Sequence, residues 1–525
     1  MDTKALRQKI LDLAIRGKLV PQDPNDEPAS VLLERICAEK QQMVKDGKLK
    51  AKDIKNDTVI FKGEDNLHYE KFADGTVKCI EEEIPFELPE GWEWCRLINI
   101  CSKLIDGDHN PPKGEDTVTQ YLMLSSTNIN NDTLVELEKV RYLSKDIFDK
   151  ENQRTDVNIG DIFFTSVGSI GRSCVYTGGF NICFQRSVSV IRTFILNEYL
   201  KRYLDAPFIQ NKIAREATGT AQKGFYLNQL SNCLIAVPPI NEQQKIANAV
   251  NKLMEYIVSI ETDKTTLLET IQSTKSKILD LAIRGKLVPQ DPNDEPASVL
   301  LERIRAEKEE LIKQGKIKRD KRESVIFKGE DNSYYLKIGN LTETLDDWRI
   351  DDIPDSWGVC CLGEVCDYGN CTNVDTKDIP ETAWILDLED IEKDTGKVLQ
   401  KLTLKERNSA STKHSFHKGQ VLYSKLRPYL NKVVLADDEG YCTSEILPLD
   451  FNDMVYPKYA RYYLMSPTFL KYANYCSYGV KMPRLGTNDG KKAILTVPPL
   501  QEQHRIVNAI ETIFAKLDEI ANALS

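Results

Sequence analysis

Apolar residues recur in alternating steps of four and three positions along two segments of the chain. In the central segment they are Ile246, Val250, Leu253, Ile257, Ile260, Leu267, Ile271 and Ile278, with polar Lys264 and Thr274 at the two remaining positions. In the C-terminal segment they are Ile506, Ile510, Ile513, Leu517, Ile520 and Leu524. This spacing is typical of the a and d positions of a coiled coil, whereas an ordinary amphipathic helix on a globular core is the alternative. Because the two copies share one register, the pattern favours coiled-coil spacers, and a continuous helix over 241–284 would be about 65 Å long.

Both segments belong to an internal repeat. Residues 9–40 recur at 277–308 with one change, Cys37 becoming Arg305. The octapeptide VIFKGEDN occurs at 59–66 and at 325–332, and VPPINEQQKIANAV at 237–250 matches VPPLQEQHRIVNAI at 497–510. By contrast, the segments 102–236 and 367–496 share little beyond scattered glycines. The chain is therefore a tandem duplication in which similar spacers alternate with dissimilar domains.

The order of the segments predicts a pseudo-two-fold, circular arrangement. In the middle of the chain, the helix predicted from the a and d spacing (the seam helix) runs directly into the segment KILDLAIRGKLVPQ. Joining the C-terminus to the N-terminus would reproduce that order. Short β-branched or aromatic runs in the dissimilar segments, bounded by Gly, Pro, Asn and Asp, are typical of strands in mixed α/β domains. We therefore predict an α+β fold with two α/β domains separated by two long antiparallel coiled-coil helices. The predicted regions are an N-terminal helical repeat region (1–83), a first α/β domain (84–240), a central helical spacer and repeat region (241–352), a second α/β domain (353–498) and a C-terminal spacer helix (499–525).

Length and composition indicate a multidomain protein of the cytoplasm. The chain has 525 residues, and no run approaches the roughly 18 apolar residues that a membrane span needs. Its first 18 residues are charged and helix-patterned, unlike a secretory signal. Thirteen cysteines without a regular framework of spacings suit reduced thiols. The cluster Cys360, Cys361, Cys366 and Cys371 contains no C-x-x-C pair, so we interpret it as buried thiols and predict no metal site.

The charge is uneven along the chain. The net charge of −10 argues at first sight against a nucleic-acid partner. However, residues 401–432 contain eight basic side chains and the single acid Glu406, a local balance of 8 − 1 = +7. Acidic runs such as 81–83 and 387–394 lie elsewhere in the sequence. A basic face on an acidic body is therefore one interpretation of the pattern.

The sequence contains no recognisable catalytic motif. It has no G-x-x-x-x-G-K-[ST] phosphate loop, no H-E-x-x-H and no G-x-S-x-G. The segment Asn110-Pro111-Pro112-Lys113 is similar to the Asn/Asp-Pro-Pro-aromatic motif of DNA amino-methyltransferases, but Lys113 replaces the aromatic residue. No glycine-rich loop for a methyl donor is evident, so we interpret the segment as a turn or DNA-contacting loop. Catalysis is therefore not predicted, and an autonomous adenine methyltransferase is one rival hypothesis.

Several segments resemble the specificity subunits of type I restriction–modification systems. They are KILDLAIRGKLVPQ, IDGDHNPPKGED (105–116), GDIFFTSVGSIGRSCV (160–175), KGQVLYSKLRPYLNKVVLA (418–436) and the V-P-P-[IL]-x-E-Q copies at 237–243 and 497–503. The resemblance covers nearly the whole chain. It implies two target-recognition domains that each read one half of a split double-stranded DNA target, with helical spacers that dock two modification subunits. Those partners would carry S-adenosylmethionine and methylate adenine, and restriction (motor-nuclease) subunits using ATP and Mg²⁺ would cleave DNA, so no cofactor is expected on this chain.

The resemblance and the local residue types together predict DNA-contacting side chains in both domains. The 421–432 stretch interleaves cations with Tyr and Asn, its first-half counterpart (162–175) is a glycine-rich turn, and 219–228 aligns with 479–488. The predicted contacts are Lys113, Ser169, Arg172, Gln222, Lys223 and Tyr226 in the first domain, and Tyr423, Lys425, Arg427, Tyr429, Asn431, Lys481 and Arg484 in the second. For each cation a solvated surface is the alternative. Because the domains differ, the target should be asymmetric; a coiled-coil scaffold without a DNA role is the second rival hypothesis.

Overall fold

The computed structural model describes residues 2–219, 223–316, 324–331, 333–345, 353–451 and 455–524. The chain divides into two compact units, 1–263 and 264–525. The boundary falls inside a 44-residue helix, Ile240–Ile283, so each unit contains about half of that helix. Within the described ranges every helix falls short of the length and apolar content that a bilayer crossing requires.

The first unit combines helices with short strands. Its helices are α1 (Thr3–Ile15), α2 (Ala29–Lys45), α3 (Lys145–Thr155), α4 (Asn197–Asp205), α5 (Pro207–Glu216), α6 (Leu227–Ser231) and the first half of α7 (Ile240–Ile283). Its strands are β1 (Val59–Lys62), β2 (His68–Lys71), β3 (Val77–Cys79), β4 (Glu93–Arg96), β5 (Cys101–Asp106), β6 (Tyr121–Leu124), β7 (Ile129–Asn130), β8 (Thr133–Leu134), β9 (Arg141–Tyr142), β10 (Ile162–Thr165), β11 (Ser173–Val175), β12 (Asn181–Phe184), β13 (Val188–Thr193) and β14 (Leu234–Val237).

Two larger sheets and the short pair β7–β8 form the α/β domain of the first unit. The larger is antiparallel with the order β11-β10-β13-β5, and the smaller has the order β12-β6-β9, with β12 and β6 parallel. All four residues of β10, IFFT, are buried, which is why this strand reads as a continuous apolar run. Strands β4 and β14 pair antiparallel with each other, Glu93 opposite Val237 and Arg96 opposite Leu234. The chain therefore enters and leaves this domain at one two-stranded ladder.

Helix α1 lies antiparallel to the first half of α7. Arg7 forms an ion pair with Glu261 at 2.8 Å, and farther along the chain the Gln22 amide donates to Glu242 at 3.2 Å. The predicted seam residues Ile246 and Val250 are fully buried in the core of the first unit. The start of the seam therefore packs as the amphipathic-helix alternative predicts, against the globular core.

The second unit repeats this set of elements. Its helices are the second half of α7, α8 (Ala297–Lys313), α9 (Leu362–Val365), α10 (Leu404–Arg407), α11 (Pro457–Leu464), α12 (Pro467–Tyr475), α13 (Thr487–Lys492) and α14 (Leu500–Leu524). Its strands are β15 (Ser324–Lys328), β16 (Tyr334–Ile338), β17 (Leu341–Thr344), β18 (Gly358–Cys361), β19 (Asn373–Val374), β20 (Trp384–Leu386), β21 (Leu402–Thr403), β22 (Lys413–Phe416), β23 (Val421–Ser424), β24 (Val433–Leu435), β25 (Gly440–Thr443), β26 (Ile446–Leu449), β27 (Ser477–Tyr478), β28 (Arg484–Leu485) and β29 (Ile494–Val497).

The sheets of the second unit correspond to those of the first. The order β24-β23-β26 matches β11-β10-β13, and the parallel pair β20-β25 matches β6-β12. Strands β18 and β29 pair antiparallel, as β4 and β14 do. Cys360, Cys361 and Cys366 are buried and Cys371 is partly exposed, which agrees with the prediction of buried thiols. The duplicated sequence thus folds into two α/β domains that share these strand pairs, although the second has the five-stranded sheet β19-β22-β25-β20-β21 where the first has the three-stranded sheet β12-β6-β9.

The second half of α7 lies antiparallel to α14. The Lys275 ammonium is ion-paired with Asp518 and lies 5.2 Å from the centre of the Phe514 ring. The seam residues Ile506 and Ile510 are fully buried, and Ile513 and Leu517 are partly buried against the core. Helix α14 therefore packs in the second unit as the first half of α7 does in the first.

Three predicted seam positions differ from the expectation, and one of them, Leu267, is 41% exposed. Ile260 is 39% exposed and Ile520 is 47% exposed, although both were predicted to lie in a buried seam; Leu253 is partly buried and Ile257 is buried. Ile260 and Ile520 each lie near the C-terminal end of the helical segment that packs on the core of their unit, beyond the buried residues. The coiled coil as a whole stays a prediction.

A small sheet occupies a region that was predicted to be helical. Strands β1-β2-β3 form a three-stranded antiparallel sheet within 1–83, and β15-β16-β17 form its counterpart. Ile60 is buried whereas the neighbouring Val59 and Phe61 are exposed, the alternation of a half-buried strand. The prediction of an N-terminal helical region was wrong for 59–79, because β-branched and aromatic residues such as those of VIFK favour a strand.

Candidate nucleic-acid interface

In the first unit, three loops meet at the end of β10. The Ser166 amide donates to the Ser187 carbonyl at 2.8 Å, and the Ser166 carbonyl accepts from the Phe225 amide at 2.8 Å. Val167 forms an isolated antiparallel bridge with Gly224. These backbone contacts join the loop after β10, the turn between β12 and β13, and the segment before α6 into one surface. We call this surface the first loop cluster.

Except for Lys113, which lies in the loop after β5, the predicted contacts of the first unit that the structure describes lie in this cluster. Arg172 is partly exposed, and its guanidinium has neither a hydrogen-bond nor an ion-pair partner among the residues that the structure describes. Lys223 is exposed, Tyr226 is 44% exposed and Ser169 is partly exposed. Gln222 lies outside the described residues. The cluster therefore presents cations and a tyrosine to solvent beside a glycine-rich turn.

The Asn-Pro-Pro-Lys segment forms an ordered loop after β5. The Arg141 guanidinium donates to the carbonyls of Pro111 and Pro112, at 3.2 and 2.5 Å. This anchoring leaves Lys113 exposed to solvent. The arrangement agrees with the interpretation of a loop, since the proline carbonyls are taken up by a structural contact.

Sequence reasoning missed one cation of the first loop cluster. Arg186 is exposed and lies next to Ser187, and its amide donates to the Asp108 carbonyl at 2.8 Å. The available signal was its position in a short turn between the two strand-like runs NICF and VSVIRT, where side chains are usually solvated. Arg186 links the loop after β5 to the first loop cluster.

A buried polar network lies beneath the first loop cluster. The Ser189 hydroxyl donates to the Asp106 carboxylate at 2.6 Å and is also hydrogen-bonded to the Ser166 hydroxyl. Burial raises the pKa of the Asp106 carboxyl above its ordinary value. The network fixes the start of the loop after β10 to the neighbouring strands β13 and β5.

The second unit builds an equivalent surface at the end of β23. The Lys425 amide donates to the Glu445 carbonyl at 3.0 Å, and the Lys425 carbonyl accepts from the Leu485 amide at 3.0 Å. Leu426 forms an isolated antiparallel bridge with Arg484. These contacts correspond one by one to those of Ser166 in the first unit. We call this surface the second loop cluster.

Three of the predicted contacts in the second unit lie open on this cluster. Lys425 is partly exposed, Tyr429 is 46% exposed and Lys481 is exposed. They come from the loop between β23 and β24 and from the hairpin β27–β28. The surface therefore offers two cations and an aromatic ring, which suits contact with phosphates and bases.

The structure contradicts the prediction for Tyr423 and places Asn431 in a structural role. Tyr423 is 3% exposed and packs edge-on against Phe469, with ring centroids 5.6 Å apart. Burial raises the pKa of its hydroxyl well above the ordinary value. Asn431, with a left-handed backbone (φ 49°), donates from its amide to the Met465 carbonyl at 3.1 Å. Tyr423 was misassigned because β23 is buried on both faces, whereas Asn431 is partly exposed and its DNA contact stays a prediction.

The two arginines predicted in this cluster are held differently, Arg427 through its backbone amide and Arg484 through its guanidinium. Arg427 has a left-handed backbone (φ 50°), and its amide donates to the Pro483 carbonyl at 2.7 Å. The Arg484 guanidinium contacts both carboxylate oxygens of Glu445, at 2.9 and 3.1 Å, and its side chain is 35% exposed. Arg484 therefore braces the hairpin instead of presenting a free charge.

The basic stretch 401–432 does not form a continuous basic face. The Arg407 side chain is 7% exposed and ion-paired with Glu389 and Asp390, and Lys413, 2% exposed, lies 3.7 Å from Asp387. The acidic run that follows position 386 thus neutralises cations close to it in space. The local balance of +7 overestimated the basic character of this surface. It was counted along the sequence, and it left out acidic residues of another segment that lie close in the folded unit.

Both units contain the same buried tryptophan–glutamate hydrogen bond, which joins the α/β domain to the long helix. The indole of Trp92 donates to Glu242 at 2.9 Å, and the indole of Trp357 donates to Glu502 at 3.1 Å. Burial raises the pKa of both carboxyls. These glutamates belong to the repeated V-P-P-[IL]-x-E-Q segment, whose function in the fold is to join helix and domain.

Comparison with known proteins gives one consistent result. The sequence model of the family described as "Type I restriction modification DNA specificity domain" matches residues 89–270 and 354–525. The EcoAI specificity subunit of Escherichia coli is 32% identical over 416 residues, 70% of this chain and 63% of that relative's own length. The EcoEI specificity subunit of Escherichia coli is 26% identical, with 99% of this chain and 90% of the relative covered.

Solved structures show similarity at lower identity. The HsdS subunit from Thermoanaerobacter tengcongensis superposes with a TM-score of 0.46 at 16% identity, covering 84% of this chain and 94% of that one. A second chain, from a structure of complex assembly in the type I R-M system, gives 0.49 at 17% identity with the same coverage.

Proposed function

Because the chain belongs to the type I restriction–modification DNA specificity family, we propose that its two units read the two halves of one split, asymmetric DNA target. The observation that carries the proposal is the pair of loop clusters. Ser166 and Lys425 make the same backbone contacts with their units, so the scaffold is shared. The side chains displayed on that scaffold differ, and base-edge recognition depends on side chains.

The exposed groups define what each unit would read. The first loop cluster displays Arg172, Lys223 and Tyr226, and the second displays Lys425 and Tyr429 with Lys481. Phosphate contacts from the cations would set the register on the duplex, and the remaining groups would reach base edges. Two different side-chain sets on one scaffold favour two different half-targets.

The chain is a specificity subunit and not itself an enzyme, since the matched family is a DNA specificity domain. We propose that two modification subunits carrying S-adenosylmethionine methylate adenine at the chosen site, and that restriction subunits using ATP and Mg²⁺ cleave unmodified DNA. The proposed place of action is the cytoplasm. An autonomous methyltransferase would instead transfer methyl groups with the purified chain alone, and a pure scaffold would leave the complex without sequence preference.

Genome-wide methylation mapping tests the proposal. Cells that express the partner subunits are compared with and without this chain. We expect adenine methylation at one asymmetric two-part sequence only when the chain is present. Methylation that is unchanged by its removal, or methyl transfer by the purified chain alone, would overturn the proposal.

The length of α7 suggests a further part of the proposal, that the helix sets the spacing of the two half-targets. The helix has 44 residues, about 66 Å at ~1.5 Å per residue. Four residues inserted between Asp263 and Lys264 add about 6 Å, close to two base-pair steps of ~3.4 Å. We expect the mapped spacer to lengthen by about two base pairs. A variant with four conservative substitutions and no insertion is the control, and an unchanged spacer after insertion would refute the ruler.

A further inference from the structure

The hairpin β27–β28 carries exposed apolar side chains at its tip. Val480 is fully exposed (102%), Tyr478 is 62% exposed and Met482 is 44% exposed. Gly479, with φ +100°, starts the turn between the two strands. Large apolar side chains left in water next to one another commonly mark a contact surface.

The base of this hairpin is held rigidly in the second unit. Arg484 on β28 is braced by both oxygens of Glu445, and the Leu485 amide donates to the Lys425 carbonyl. The Pro483 carbonyl accepts from the Arg427 amide at 2.7 Å. The tip is therefore presented in a defined direction, which lowers the entropy cost of binding through it.

The surroundings of the tip favour DNA as the occupant. Lys481 lies within the tip itself, and Lys425 lies at its base. A two-stranded ribbon fits the major groove, which is about 12 Å wide. The apolar group that standard base pairs present in this groove is the C5-methyl of thymine. An apolar tip flanked by cations thus matches a thymine methyl between two rows of phosphates.

We propose that Val480 and Met482 contact thymine methyl groups in the major groove of the half-target that the second unit reads. The inference rests on the proposed function and adds the base and the atom that this hairpin recognises. Lys425 and Lys481 pair with neighbouring phosphates, and Arg484 acts as a positioning residue through Glu445.

The test uses the full chain with its co-expressed partner subunits and a random duplex library that is built with thymidine. Selection from the thymidine library first defines the target. Each thymine of that target is then replaced singly by deoxyuridine, which removes only the methyl group. We expect at least one replacement to weaken binding about fourfold, the value for one buried methyl.

The double variant Val480→Ala with Met482→Ala completes the test. At the sensitive position its binding should be the same for thymidine and deoxyuridine. The control Val118→Ala, at a valine of the first unit that is 80% exposed, should keep the fourfold difference. Equal methyl sensitivity in the wild type and the double variant, or none at any thymine, overturns the inference. If the wild-type complex enriches no sequence from the thymidine library, the proposed function fails, and this inference with it.

Discussion

Tyr423 and Tyr429 lie six residues apart and should respond to truncation in opposite ways. Tyr423 is 3% exposed within the core of the second unit, whereas Tyr429 is 46% exposed on its loop cluster. Replacing a buried aromatic residue by alanine costs about 3–5 kcal/mol, because both the transfer energy and the packing contacts are lost. Tyr423→Ala should therefore lower unfolding stability by that amount. Tyr429→Ala should change stability by less than about 0.5 kcal/mol and weaken specific DNA binding about fivefold or more.

Urea unfolding followed by fluorescence gives the stability, and a filter-binding titration on the mapped target gives the affinity. Tyr423→Phe is the matched control for Tyr423→Ala, since the buried Tyr423 hydroxyl has no hydrogen-bond partner among the described residues. Its removal should leave stability unchanged or raise it by about 1 kcal/mol. A Tyr423→Ala variant that unfolds like the wild type but no longer binds DNA would refute the burial argument and return Tyr423 to the DNA surface.

Three further outcomes are expected. Gly17 has φ +64°, and an added Cβ would collide with the ring of Pro89, whereas Gly47 has φ +72° and no atom near the added Cβ. Gly17→Ala should therefore lower the urea midpoint clearly more than Gly47→Ala. Equal losses would show that the collision is relieved. Because burial raises the pKa of the Glu242 carboxyl in the folded state, protonation stabilises the fold, and this stabilisation is lost as pH rises through the folded-state pKa. The wild type should therefore gain stability relative to Glu242→Gln as pH falls from about 7 to about 4, and parallel pH profiles would contradict the assignment. Lys425→Ala should reduce the slope of log affinity against log salt by about one, whereas an unchanged slope would place Lys425 away from the phosphates.

The internal repeat gave most of what the sequence could predict about the fold. It paired 162–175 with 421–432 and 219–228 with 479–488, and the backbone contacts of Ser166 and Lys425 fall at those paired positions. It also located the near-identical segments that pack beneath each domain, such as the Gly17 and Gly285 turns against Trp92 and Trp357. These features follow from local pattern, and for that reason they were accessible without coordinates.

The individual site residues depended on tertiary packing, which a local pattern does not contain. Tyr423 and Lys425 are two residues apart, yet one is in the core and the other is at the surface, because the buried strand ends between them. Arg407 was counted as part of a basic stretch, but its partners Glu389 and Asp390 come from a separate loop. Pairing in space, which decides whether a cation is free for DNA, was therefore not predictable from composition.

The ladders β4–β14 and β18–β29 affect how the recognition domains of such a protein can be exchanged during evolution. Neighbouring strands lie about 4.8 Å apart, so the two ends of each recognition domain stand side by side on the helical part of its unit. A foreign domain could be grafted between those ends whatever its internal length, provided that its own ends meet as neighbouring strands do. Under the proposed function, new targets could then arise by transplanting a whole cassette, one half-target at a time, while the junction with the helices is left intact.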